Sequence, residues 1–169
     1  MASKKIGTMK KLILIRHGKS SWDLNVRDYD RVLQQRGVED GHLIGKALLK
    51  TSLKPDLIMS SPAARALQTA TIVTEYLDYN LSSLKLNRSL YTFDSNELAV
   101  AIKEVTNEVD TLLVFSHNHG LTEFANQYGS TRFDNVPTTG VVVIDFDIPK
   151  WSDLTSGTTA FHLFPKQIR

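Results

Sequence analysis

The chain has 169 residues, 41% hydrophobic and 22% charged, which is ordinary for a soluble protein with a substantial core. A formal net charge of +2 makes no global demand for nucleic acid, and the absence of cysteine excludes disulfides, thiolate catalysis and cysteine-ligated zinc. No apolar run approaches the roughly 20 residues of a membrane span, and Met1 to Lys11 lacks the apolar stretch of a secretory signal, so a cytoplasmic location without membrane contact is expected.

Residues 1–8 are expected to form a flexible tail and 9–169 a single domain, without repeats or linkers. Leu12 to Ile15 is an unbroken aliphatic run that ends abruptly in Arg16, His17 and Gly18. Such a run suits a strand buried on both faces. Arginine and histidine at its carboxyl end are costly if buried and unpaired, and fit an end that opens into a crevice. Gly18 marks a place where backbone comes close to something. Lys19 to Arg31 reads as loop, punctuated by Arg36–Gly37, and a helix is predicted from Val38 to about Lys50 with Leu43, Ile44, Ala47 and Leu48 on its apolar face. Pro55 introduces a second buried strand, Asp56 to Met59, and Ser60–Ser61–Pro62 caps a helix from Ala63 to about Tyr79, with Pro62 in its first turn.

A short extended piece near Leu84 to Asn87 leads to Leu90–Tyr91, and Ser95 or Asn96 caps a helix reaching Thr106. The third buried strand is Thr111 to Phe115, followed by Ser116-His117-Asn118-His119-Gly120 and a helix to roughly Tyr128. Asn135 to Gly140 is loop, Val141 to Phe146 a strand, and Thr158 to Leu163 a final strand. Alternating strands and helices predict an α/β three-layer sandwich, a mostly parallel central sheet with helices on both faces.

Each of the first three strands ends in polar residues suited to an oxyanion: Arg16 and His17, then Ser60, Ser61 and Arg65 one turn later, then Ser116, His117 and Asn118. In a parallel sheet these ends share one edge, and two helix N-termini add backbone donors there. Taken singly, Arg65 reads as a surface residue and His117 and His119 as loop histidines; the coincidence at three strand ends is what points to a site.

In these segments the sequence resembles the histidine phosphatase (phosphoglycerate mutase-like) superfamily, and more closely its short phosphohistidine phosphatases of the SixA type. The resemblance is carried by RHGKSSWD from Arg16, DRVLQQRG from Asp30, SSPAARALQTA from Ser60, SHNHGL from Ser116 and VPTTG from Val136. It implies that His17 is a nucleophile that forms a phosphohistidine, with Arg16, Arg65 and His117 as its catalytic partners. The guanidinium forks of Arg16 and Arg65 suit phosphoryl oxygens, and a protonated His117 would add a third charged donor. The resemblance also implies that Arg31 reaches the pocket and that a backbone carbonyl holds the other ring nitrogen of His17. Gly18, Ser61, Asn118 and His119 complete the candidate substrate contacts. Clustered arginines can replace the metal of other phosphoryl-transfer enzymes, so neither metal nor cofactor is expected. His119 with His117 and Asp30 or Asp145 would be the alternative, a hydrolytic zinc site.

Larger members of the superfamily carry a glutamate acid in an insertion where this chain has only Leu90 to Asp94. Asp94 and Glu97 are acids by location and helix-start residues by pattern. The missing acid and the short segment favour a nitrogen leaving group presented by another protein, such as a histidine phosphotransfer domain. A small phosphorylated substrate, with the chain as phosphomonoesterase, and a phosphate-binding module without catalysis are the alternatives. Pro137 to Gly140 reads either as a plain turn or as hydroxyls near the pocket, while Trp22 and Trp151 offer no stacking platform for nucleic acid.

Overall fold

The structure, a computed structural model, describes residues 9–169; the tail expected over residues 1–8 lies outside the described residues. Six strands form one sheet: β1 (Met9–Arg16), β2 (Leu57–Ser60), β3 (Lys85–Leu86), β4 (Thr111–Ser116), β5 (Val141–Asp147) and β6 (Thr158–Leu163), in the spatial order β3-β2-β4-β1-β5-β6. β1 pairs in parallel with β4, β4 with β2 and β2 with β3. β5 runs antiparallel to both β1 and β6, so it alone opposes the sheet direction. The helices are α1 (Gln35–Leu49), α2 (Ala64–Thr74), α3 (Ser95–Lys103), α4 (Gly120–Tyr128) and the short α5 (Pro165–Ile168).

The central strand shows why its aliphatic run is unbroken. Side chains alternate across a strand, and both faces of β1 are covered. Leu12 and Leu14 join Leu98, Ile102, Leu121 and Phe124 beneath α3 and α4. Ile13 and Ile15 join Ile44, Leu48, Ala70 and Val73 beneath α1 and α2. Three layers result, and no helix among the described residues is long and apolar enough to cross a membrane.

Several boundaries differ from expectation. α1 begins at Gln35 and takes Arg36–Gly37 into its first turn, while Leu43 and Ala47 are only half-buried. Its buried stripe holds three glycines, Gly37, Gly41 and Gly45, which let it lie close to its neighbours. Pro62 precedes α2, whose first residue is Ala64, and Ser61 Oγ accepts from the Ala63 N–H instead. α2 stops at Thr74, because Tyr79 folds back onto β2, where its hydroxyl accepts from the Ile58 N–H. The cap of α3 is Asp94, not Ser95 or Asn96: its carboxylate accepts from the Asn96 N–H.

Candidate active site

The carboxyl ends of β1, β2 and β4 lie along one edge, with Arg16 opposite Ser116 and Ser60 opposite Phe115. Above them lies a cavity of about 500 Å³ whose lining includes Arg16, His17, Lys19, Asp28, Arg31 and Arg65 together with Trp22, Phe93, Asn118 and Thr138.

His17, 8% exposed, sits against the Gly18 carbonyl through Nδ1 at 2.7 Å. A carbonyl only accepts, so Nδ1 carries the proton and the lone pair is left on Nε2. That nitrogen faces Arg65 Nε at 3.4 Å. The His17 and His117 ring centroids are 5.1 Å apart. Gly18 does not line the cavity. Its close approach is to the backbone of Gly37, and its N–H donates to Thr69 Oγ1, which in turn donates to the Arg65 carbonyl. One short network thus ties the end of β1 to the first turns of α2.

His117 is fully buried, with Nε2 at 2.8 Å from Ser61 Oγ. Ser61 Oγ accepts from the Ala63 N–H and can at the same time donate its own proton to Nε2. In that tautomer Nδ1–H of His117 is a buried donor without a partner, as are Arg16 Nε and the Thr139 hydroxyl. Three of the four such atoms among the described residues therefore belong to this one edge, the fourth being Thr74 Oγ1. Thr139 also adopts φ 60°, a strained conformation for a threonine, and its N–H donates to the carbonyls of Arg16 and His17.

Asp28, which the sequence pattern did not single out, joins the arginines. Its Oδ2 accepts from Arg65 Nη2 at 2.9 Å and from the Tyr91 hydroxyl at 2.7 Å, and its Oδ1 from Arg31 Nη1 at 3.2 Å. Its backbone carbonyl takes Arg65 Nη1 at 2.6 Å. Partial burial works against ionisation, but the hydrogen bonds from Tyr91 and Arg65 outweigh it and hold the carboxyl down to about 2. The available signal was physical: two nearly buried guanidinium groups need a counter-charge. Arg31 lines the cavity, tied to Ser20, Ser21 and Asp28 and lying over the Trp22 ring.

Other expected contacts differ. Ser61 does not line the cavity and instead holds His117. Asn118 lines it, while its Oδ1 accepts from Thr122 at the start of α4. His119 is exposed at the cap of α4 and outside the lining. Asp30 pairs with Arg27 and Asp145 with Lys11, and no group of three or more metal-ligating side chains is found among the described residues. Neither acid suggested by location lines the cavity: Asp94 caps α3, and Glu97 accepts from Thr92 Oγ1.

The charge expected on His117 is also corrected. Burial first, then His17 and Arg65, lower its pKa to about 2, so it is a neutral donor here. His17 is lowered to about 3 by burial, against the pull of the Gly18 carbonyl and with help from Arg65 and Arg16. Both imidazoles are neutral in the fold but protonate near 6.5 when unfolded. Their stabilising contribution is therefore complete above that pH and is lost as pH falls towards 3. Between pH 6.5 and 4 each should steepen the loss of stability by up to about 1.4 kcal/mol per pH unit. Urea unfolding midpoints across that range should fall less steeply for His117→Asn than for the wild type; equal slopes would contradict the assignment.

Residues 12–90 match the family model of the histidine phosphatase superfamily (branch 1). Over that stretch the chain is similar to the histidine phosphatase superfamily. Among its relatives is an uncharacterised chloroplastic protein of Arabidopsis thaliana, 30% identical over 134 residues, in a match covering 74% of this chain and 62% of that protein. An uncharacterised protein of Mycobacterium leprae is 28% identical over 168 residues, covering 88% of this chain and 99% of its own. The fold is shared with the protein histidine phosphatase SixA, solved with tungstate, at TM-score 0.80 and 22% identity, covering 94% of this chain and 99% of that one. The superfamily match takes in Arg16, His17, Arg31 and Arg65 but stops short of His117, which the sheet returns to the same edge.

Proposed function

We propose that residues 9–169 form one histidine-phosphatase domain, a metal-independent phosphatase that transfers a phosphoryl group to His17 Nε2 and then to water. The observation that carries this reading is the tautomer of His17: with Nδ1–H donating to Gly18, the free lone pair faces the cavity beside Arg65. Support also comes from SixA, which shares the fold and was solved holding tungstate, a tetrahedral oxyanion.

In the first step the Nε2 lone pair attacks phosphorus, and the bond from phosphorus to the leaving group breaks with its electron pair going to that group. The His17 ring becomes cationic, and the Gly18 carbonyl on Nδ1–H stabilises that charge. Arg16, Arg65, Arg31 and the neutral His117 Nδ1–H supply donors for the equatorial oxygens. In the second step water attacks phosphorus and the P–Nε2 bond returns its pair to His17. The water protons leave with inorganic phosphate.

The cavity lining supports a nitrogen leaving group. Asp28 is its one carboxylate, and it is ionised and acceptor-only, so no carboxylic acid stands ready. A phosphohistidine protonated on its other ring nitrogen leaves as neutral imidazole and needs none, whereas an alkyl alcohol does. The substrate is accordingly a phosphohistidine on a protein partner. Turnover of a phosphohistidine-bearing protein, phosphoramidate and a panel of sugar phosphates tests it. The P–N substrates should exceed the sugar phosphates by at least about 10²-fold in kcat/KM, the size of one general-acid contribution. Alkyl phosphates turned over faster would make the chain a small-molecule phosphomonoesterase. Binding without turnover would make it a phosphate-binding module.

A further inference from the structure

We propose that Trp22 and Phe93 form an aromatic clamp at the cavity mouth that selects a planar ring as leaving group, the imidazole of phosphohistidine. The inference rests on the phosphatase reading above and assigns its leaving-group specificity to two residues outside the charged floor. Both rings line the same cavity as Arg16, His17 and Arg65, yet Trp22 is 75% and Phe93 53% exposed. Exposed large apolar side chains are ordinary singly; two on the rim of one polar cavity point to something that covers them.

Both are held in place. The Arg31 guanidinium lies 3.2 Å from the centroid of a Trp22 ring, and Arg31 is itself tied to Ser20, Ser21 and Asp28. Phe93 makes edge contacts with His117 at 5.6 Å and Tyr91 at 5.8 Å. Its backbone crosses the start of α4 so closely that a Cβ on Gly120 would lie 2.9 Å from the Phe93 carbonyl carbon. Rings fixed beforehand lose little freedom on binding.

Geometry supplies the occupant. Attack by His17 Nε2 from the floor is in line, so the departing atom lies on the opposite side of phosphorus, towards the mouth. A cavity of about 500 Å³ holds far more than a phosphoryl group, and the group beyond the P–N bond in phosphohistidine is a flat ring suited to stacking.

The test compares free phosphohistidine with phosphoramidate, which has the same P–N bond without a ring, in the wild type, Trp22→Ala, Phe93→Ala and Trp22→Phe. The ratio of kcat/KM for the ringed over the ringless substrate should fall about tenfold in each alanine variant, mainly through KM, and recover in Trp22→Phe. Equal losses on both substrates would overturn the clamp, since Trp22 would then act only by positioning Arg31. A ratio that falls only when phosphohistidine is carried on a protein would also overturn it, making the rings a protein-docking rim. Wild-type enzyme that turns over neither substrate would instead refute the phosphatase reading.

Discussion

His17→Ala should abolish turnover, with kcat falling by about 10⁴-fold or more, as when other covalent nucleophiles are removed. The reason is the loss of a bond-forming atom. No second imidazole can substitute, because His117 directs Nε2 at Ser61 and does not line the cavity. The decisive measurement is transfer of labelled phosphate from a phosphohistidine substrate. The wild type, quenched in base to preserve P–N bonds, should carry label on His17, and the variant should carry none. Label on another residue, or turnover within tenfold of wild type, would overturn the nucleophile assignment. A circular dichroism spectrum matching wild type would show that the loss is chemical.

Arg65→Ala should lower kcat by about 10²–10³-fold, the effect of removing one preorganised donor aimed at developing charge. Arg65 sits beside the nucleophile and anchors both the carbonyl and the carboxylate of Asp28, so its loss removes a donor and frees the turn at Asp28–Asp30. Arg65→Lys should recover little, since a single ammonium cannot reproduce the planar fork that spans His17 and Asp28. Vanadate affinity should fall alongside kcat in both variants. A loss below tenfold in Arg65→Ala would mean that Arg65 serves structure and not the reaction.

The sequence made much of this legible because single local rules governed it. An aliphatic run covered on both faces and followed by Arg16-His17 is readable without neighbours, as is the repeat of polar residues at three strand ends. What stayed hidden depended on partners far along the chain. Asp28 looks like one more charge in a mixed loop until the fold brings Arg65 and Tyr91 to it. The neutrality of His117 follows from burial, which residue type does not reveal. Gly18 announced a close approach, but the neighbour turned out to be Gly37. Helix ends moved where tertiary contacts overrode local signals, as with Tyr79 folding onto β2 and Asp94 displacing two plausible caps.

The placement of β1 between β4 and β5 bears on how the molecule assembles. Lys11 stands beside Thr111 and Met9 beside Asp147, so the strand that leads into His17 can complete neither flank until distant parts of the chain arrive. Contacts of such long sequence separation form slowly, after large loops have closed. The His17 imidazole therefore gains its surroundings only with the finished topology. Recovery of catalysis during refolding would report closure of the whole sheet, and no early fragment of the chain carries the chemistry by itself.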